Sequence, residues 1–318
     1  MIAYLIRRLL QSVIVLLIVT IITFGLLRLI PGNVAIAILG PASYRNPQII
    51  AAFDRQYGFD EPWFEQYWLW LTHLLSGNLG FSWTLDQSVS SLLGQRLPKT
   101  IILVGESTVI ALIIAIPVGL WQAVRRNKMT DYVFTGLSFL FYAAPAFFVG
   151  NILILEFAVN NHWFGPEGAQ GGWVSDFTDV HDQVLPIITL AVLTIASFSR
   201  YMRSSVLDNL TEDYVRTARA KGASSRRVLW RHVVRNSLIP IATLVGLSLP
   251  AILSGALITE SVFNYPGMGL LFYQSAQKQD YPTLLGFIIV VALATVIGSL
   301  LADIAYAVLD PRVRYVSS

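Results

Sequence analysis

Six long apolar runs separated by polar stretches dominate this chain. A helix rises about 1.5 Å per residue, so about 20 apolar residues cross the roughly 30 Å of hydrocarbon in a bilayer. The runs predict six membrane-spanning helices: Leu9 to Ile30, Thr100 to Val124, Tyr132 to Val159, Val184 to Phe198, Leu238 to Val262 and Leu284 to Leu309. Pro31-Gly32 stops the first, and Pro145 falls near the middle of the third. Ala35-Ile36-Ala37 resembles a signal-peptidase site, but the apolar run before it is too long for a signal peptide and reads as a first span.

The 31–99 stretch is not a bare loop. Pro47 at a first helical position, apolar Ile49, Ile50 and Phe53, and Gly58 just past the end predict one short helix. Pro62 to Leu75 predicts another, whose Trp63, Tyr67, Trp68 and Trp70 suit the headgroup level of a membrane. The expected fold is all-α and polytopic. An N-terminus and first span occupy 1–30, and a small helical domain on one membrane face occupies 31–99. A five-helix core follows over 100–309, with a loop at 200–236 and a tail at 310–318.

Composition supports this pattern. Of 318 residues, 55% are hydrophobic and 13% charged, against about 25% charged in soluble domains. The absence of cysteine excludes disulfides, thiol chemistry and Cys-based zinc sites. His73, His162, His181 and His232 are scattered without metal-ligand spacing, and no phosphate-cradling Gly-x-x-x-x-Gly-Lys-Ser/Thr loop occurs. Nothing pairs a nucleophile with a base, so no catalytic, cofactor-binding or metal-ligating residue is expected.

Charge placement sets the expected orientation. Nine of the 22 Lys and Arg lie in 200–236, with more at Arg7, Arg8, 125–128, Arg312 and Arg314. Basic residues stay on the cytoplasmic side, which puts both termini and the 200–236 loop there, 31–99 outside, and the chain in the cytoplasmic (inner) membrane. Within the loop, Thr211 is a candidate N-cap, followed by Glu212 and Asp213, then Arg216, Arg219 and Lys221, and closed by Gly222. Acid first, base last and glycine at the end suit a short helix. Leu210, Tyr214 and Ala218 form one narrow apolar stripe, suited to docking in a partner's groove; a plain topology signal touching anionic lipid is the other reading. The loop offers few rings for base stacking, Tyr214 and Trp230 among them, which argues against nucleic acid.

The run Tyr214-Val215-Arg216-Thr217-Ala218-Arg219-Ala220-Lys221-Gly222-Ala223 resembles the Glu-Ala-Ala loop of ABC-importer permeases in its peptide-permease form. Arg216, Thr217 and Ala218 stand where the general motif has Glu-Ala-Ala. Similar runs extend along the chain: Leu29-Ile30-Pro31-Gly32-Asn33, Tyr57-Gly58-Phe59-Asp60-Glu61-Pro62, Gly77-Asn78-Leu79-Gly80-Phe81-Ser82, Arg96-Leu97-Pro98-Lys99-Thr100, Glu260-Ser261-Val262-Phe263, Tyr265-Pro266-Gly267-Met268-Gly269 and Leu309-Asp310-Pro311-Arg312. The resemblance is to the first of the two permease subunits of dipeptide/oligopeptide importers.

It implies a type I importer architecture and a coupling helix made of Glu212, Asp213, Tyr214, Val215, Arg216, Thr217, Ala218, Arg219, Lys221 and Gly222. It also implies a second homologous permease, two P-loop ATPase subunits (or one fused) that bind ATP and Mg, and an extracytoplasmic peptide-binding protein. Nickel and glutathione importers use similar subunits, and a proton-coupled secondary transporter is the alternative from a different class. Glu106, Glu156, Glu260 and Asp303 lie in or near spans, where a carboxylate either lines a path or bonds between helices. Glu260, Pro250, Gly246 and Gly255 are the candidates for the path or an outer gate.

Overall fold

The computed structural model describes residues 2–29, 46–58, 60–82, 84–254 and 256–309. Three helices come first: α1 (Ile2–Leu29), α2 (Pro47–Tyr57) and α3 (Trp63–Leu75). Pro47 opens α2 and Gly58, at φ +69°, closes it. A two-residue hairpin, β1 (Phe81–Ser82) with β2 (Gln87–Ser88), leads into α4 (Val89–Val124). Ser88 accepts from the Ser91 amide at the start of α4, so this helix crosses the 99/100 boundary and begins well before the expected second span. Val89, Leu92 and Leu93 explain the early start: they are buried against Met268, Leu271 and Phe287.

Next come α5 (Met129–Ala143) and α6 (Ala146–Leu153), the latter continuing as a π-helical stretch, Ile154–Asn160. The third apolar run is therefore not one straight span. Its halves meet at 102°, because Pro145 has no N–H to donate and forces Ala144 into an extended conformation. The short α7 (Ser175–Thr178) precedes α8 (Val180–Thr211). Then follow α9 (Asp213–Ala220), α10 (Ser225–Val228) with a π-helical continuation Leu229–Val234, and α11 (Arg235–Ser254).

The expected fifth span falls on α11 and α12 (Leu257–Val262), separated at non-helical Ala256. After α13 (Met268–Gln277), α14 (Tyr281–Leu309) ends the described chain. Among the described residues, four helices are long and apolar enough to cross a membrane: α1, α4, α8 and α14. The bent α5–α6 pair makes five if counted as one span, so the expected count of six is not reproduced.

The centre is the antiparallel-free, side-by-side pair α4 and α8, which run in the same direction from one end of the bundle to the other. At Gly119 the backbones come so close that a Cβ would lie 2.5 Å from the Ser199 carbonyl oxygen and 2.7 Å from Met202 Cβ. Near one end, Leu103 on α4 and Leu185 on α8 are buried with Phe263 and Tyr265. At the other, Leu120 and Ala123 meet Met202 and Val206. Asp131 at the head of α5 is tied to α8 there, accepting from Arg203 Nε and Nη2 at 2.8 Å each, a two-point fork that fixes orientation as well as charge.

Candidate functional site

At the end of the bundle carrying the 200–236 loop, α8 stops at Thr211. That residue is not the cap of the next helix: its hydroxyl bonds back to the Asp208 carbonyl at 2.8 Å. Glu212 takes the N-cap position in extended backbone, without a side-chain capping bond. The helix closes as the sequence leads one to expect. Gly222 has φ +80°, its amide bonds to Arg219 O at 2.9 Å, and the Ala223 amide reaches Ala218 O at 3.1 Å. These two bonds define a Schellman stop, whose left-handed residue is glycine because a Cβ there is sterically penalised.

The apolar stripe points the other way from the one expected. Leu210, Tyr214 and Ala218 pack against the chain's own core, around fully buried Val215. The Tyr214 hydroxyl donates to Asn209 Oδ1. Val215 belongs to one buried cluster with Leu120 and Ala123 of α4, Met202 and Val206 of α8, Val228 of α10, and Val233, Val234 and Ile241 beyond it. No apolar ridge is left for a partner's groove; the short helix is seated by its apolar side and presents its polar side. Glu212, Asp213, Arg216, Thr217, Arg219, Lys221 and Gly222 are exposed. Next to them, Ser224, Arg226, Arg227, Trp230 and Arg231 line a shallow open depression, which extends the basic surface. The exposed Arg216–Asp213 pair, at 3.6 Å, contributes little to stability.

The opposite end is held by buried polar groups. Glu260 on α12 is fully buried. Its carboxylate accepts from Thr100 Oγ1 at 2.8 Å and from the Leu270 amide at 3.0 Å. Thr100 Oγ1 in turn accepts from the Met268 amide at 2.8 Å. Thus Glu260 joins α4 to the first turn of α13, where free amides and the helix dipole favour a negative charge. Gly267 leaves it room, since a Cβ there would stand 2.5 Å from the Glu260 carboxyl.

Beside it lies a second knot that sequence reasoning missed. Buried Lys99 donates to Asp176 Oδ1 at 2.6 Å and to Gly171 O at 3.1 Å. The Tyr265 hydroxyl donates to Lys99 O at 2.8 Å and to Asp176 Oδ2 at 3.0 Å, and the Lys99 ammonium lies 4.8 Å from the Tyr265 ring centre. Burial pushes the Asp176 carboxyl up, while Lys99 and Tyr265 work against that shift; burial also pushes the Tyr265 hydroxyl up. The one clue in the sequence was a lysine at the start of an apolar run, with no hint of partners 77 and 166 residues away.

Of the other sequence candidates, Gly246 is half-buried on α11. Pro250 lies within α11 with its side chain outside the described residues, as is that of Asp303; Gly255 lies outside them altogether. Glu106 is half-buried on α4. Glu156 is exposed and accepts from the Asn160 and Asn161 side chains at 3.2 Å each.

A helical bundle with several helices long and apolar enough to cross a membrane, and a seated, capped short helix at one end, marks a multi-pass membrane protein. The comparisons then give its family. Residues 115–315 match the family described as binding-protein-dependent transport system inner membrane component, and residues 1–104 match that family's N-terminal companion. The chain belongs to this family, and its resemblance to the permease subunits of dipeptide/oligopeptide ABC importers is borne out.

Among its relatives is the oligopeptide transport system permease protein AppB of Bacillus subtilis, 39% identical over 99% of this chain and 100% of that protein. A putative peptide permease of Brucella ovis is 37% identical over 99% of each chain. The glutathione transport system permease protein GsiC of Salmonella choleraesuis is 35% identical over 99% of this chain and 100% of that protein. Membership implies ATPase and substrate-binding partners in general.

Proposed function

We propose that this chain is the non-catalytic permease subunit of an ATP-driven importer of short peptides, paired with a second, homologous permease. The single observation that carries the reading is the seating of α9. Its inner side is embedded in a cluster drawn from α4, α8, α10 and α11, while its outer side offers Arg216, Thr217, Arg219 and Lys221. A push on that outer side moves the ends of the bundle helices together.

In this reading the α9 end and both termini are cytoplasmic, and the chain sits in the inner membrane. Two ATPase subunits, which bind ATP and Mg, grip α9 and its counterpart on the second permease. The segment holding α2 and α3, with the 263–281 link, faces outward within reach of a peptide-binding protein. Six spans require α5–α6 and α11–α12 each to cross once, and the bend between α5 and α6 suits a bundle that opens to alternate sides. Gly246, Pro250 and Gly255 belong to the path in this reading, while Glu260 acts at the outer gate as the fastener of α12 and α13 against α4. The GsiC relative favours glutathione, itself a short peptide, as the second substrate reading.

Gly222→Val tests the coupling role in the complete importer reconstituted in vesicles. A β-branched residue at φ +80° costs about 1–2 kcal/mol, enough to distort the stop of α9. ATP-driven peptide uptake is expected to fall about tenfold with insertion unchanged; uptake at the unaltered rate overturns the coupling role.

A further inference from the structure

The α3 helix has no buried residue, yet it is rich in large apolar side chains. At 100° per residue its positions fall into three sectors. The first holds Trp63, Tyr67, Trp70 and Leu74, with Trp63 at the helix start 62% exposed; Tyr67 and Trp70 face α1, where the Tyr67 hydroxyl and Thr20 Oγ1 share a hydrogen bond at 2.9 Å and both rings lie against Phe24 with centroids at 5.5 and 5.9 Å. The next sector is Phe64, Trp68, Leu71 and Leu75, with Phe64, Trp68 and Leu75 exposed by 58%, 66% and 79%. The third carries Glu65, Gln66, Thr72 and His73, with Leu69 as its one apolar member.

The contacts fix the depth of this helix. The apolar window of α1 is Leu10–Leu27. Phe24 and Thr20 therefore lie about 5 and 10 Å inside its outer edge. The chain beyond α3 is level with the same edge. A Cβ on Gly80 would touch Pro282 at 3.4 Å, and Ser82 and Thr84 hydrogen-bond to Asp280, at the start of the apolar window Tyr281–Leu300 of α14. Both attachments hold α3 against the membrane boundary. A wide apolar sector with exposed Trp and Phe, opposite a polar one, is the layout of a helix lying in the interface plane.

We infer that α3 is an interfacial helix whose Phe64, Trp68, Leu71 and Leu75 are immersed in bilayer lipid at the hydrocarbon–headgroup boundary, with Glu65, Thr72 and His73 turned to water. The occupant of the exposed apolar sector is lipid, because the contacts to Thr20 and Phe24 hold the helix at the depth of the apolar window of α1, whose Ile21, Ile22 and Leu26 are exposed likewise. The inference rests on α1 and α14 spanning the membrane, and it stands whatever solute is carried.

The chain has no cysteine, so single substitutions take one spin label each in the full-length protein. Phe64→Cys, Trp68→Cys, Leu75→Cys, Glu65→Cys and Thr72→Cys are reconstituted in phosphatidylcholine vesicles. Collision with oxygen, enriched in lipid, is compared with collision with a water-soluble nickel chelate. Oxygen is expected to dominate several-fold at 64, 68 and 75, and the nickel chelate at 65 and 72. Dominance of the chelate at 64 and 68 overturns the proposal. So do labels there that are immobilised and shielded from both reagents, which would mark a protein surface. In the unlabelled chain, lipids brominated on the acyl chain should quench tryptophan emission, and Trp68→Phe should reduce the quenched fraction; an unchanged fraction also overturns it.

Discussion

The two ends of the bundle are fastened by different chemistry. At the α9 end, Val215, Met202, Val206, Val228 and their neighbours make an aliphatic seat, whose attraction is non-directional and scales with area. At the other end, Glu260, Thr100, Lys99, Asp176 and Tyr265 form directed bonds of 2.6–3.0 Å. An aliphatic seat tolerates small slides without losing a partner, whereas a buried polar lattice holds one register and penalises any other.

The largest effect should come from opening the lattice. Lys99→Met leaves buried Asp176 without its counter-charge and with Tyr265 still donating to it, and removing one member of a buried pair costs about 3–5 kcal/mol. Thermal unfolding in detergent should show it, and Lys99→Met with Asp176→Leu should recover most of the loss. If the single variant melts like the parent, the lattice is not what holds that end. A smaller effect is expected from Val215→Ala in the aliphatic seat, about 2 kcal/mol from two lost methyl groups and the space left behind. The same melt measures it, and a loss as large as that of Lys99→Met would erase the contrast. Smallest in stability is Arg216→Ala on the exposed side of α9, within about 0.5 kcal/mol. Its effect should appear instead as weaker stimulation of ATPase activity by peptide-loaded binding protein; unaltered stimulation would show that Arg216 does not contact the motor.

Much of the bundle is written in local patterns. The runs that became α1, α4, α8 and α14 are apolar enough to be read directly, and Gly222 announces the stop of α9 because few other residues adopt φ +80°. The direction of the α9 stripe was not legible. An eight-residue helix with one apolar side looks the same whether that side meets its own chain or another, and only the placement of Met202, Val228 and Ile241 decides. The 102° break at Pro145 was half legible: proline permits a kink, but packing sets its size. The Lys99–Asp176–Tyr265 knot was hidden, since its members are individually ordinary and far apart in sequence.

Gly119 has a mechanical meaning. The atoms facing it are the Ser199 carbonyl oxygen, Met202 Cβ and the Arg203 amide nitrogen, at 2.5–3.0 Å from where a methyl carbon would stand. Two of these are main-chain atoms, so exchanging a neighbouring side chain cannot make room for it. A saturation scan along α4 should therefore leave position 119 intolerant even of alanine, with no suppressor at 199 or 203. At this crossing the two helices touch backbone to backbone, so α4 and α8 are pinned in one register there, between the side-chain packing at either end.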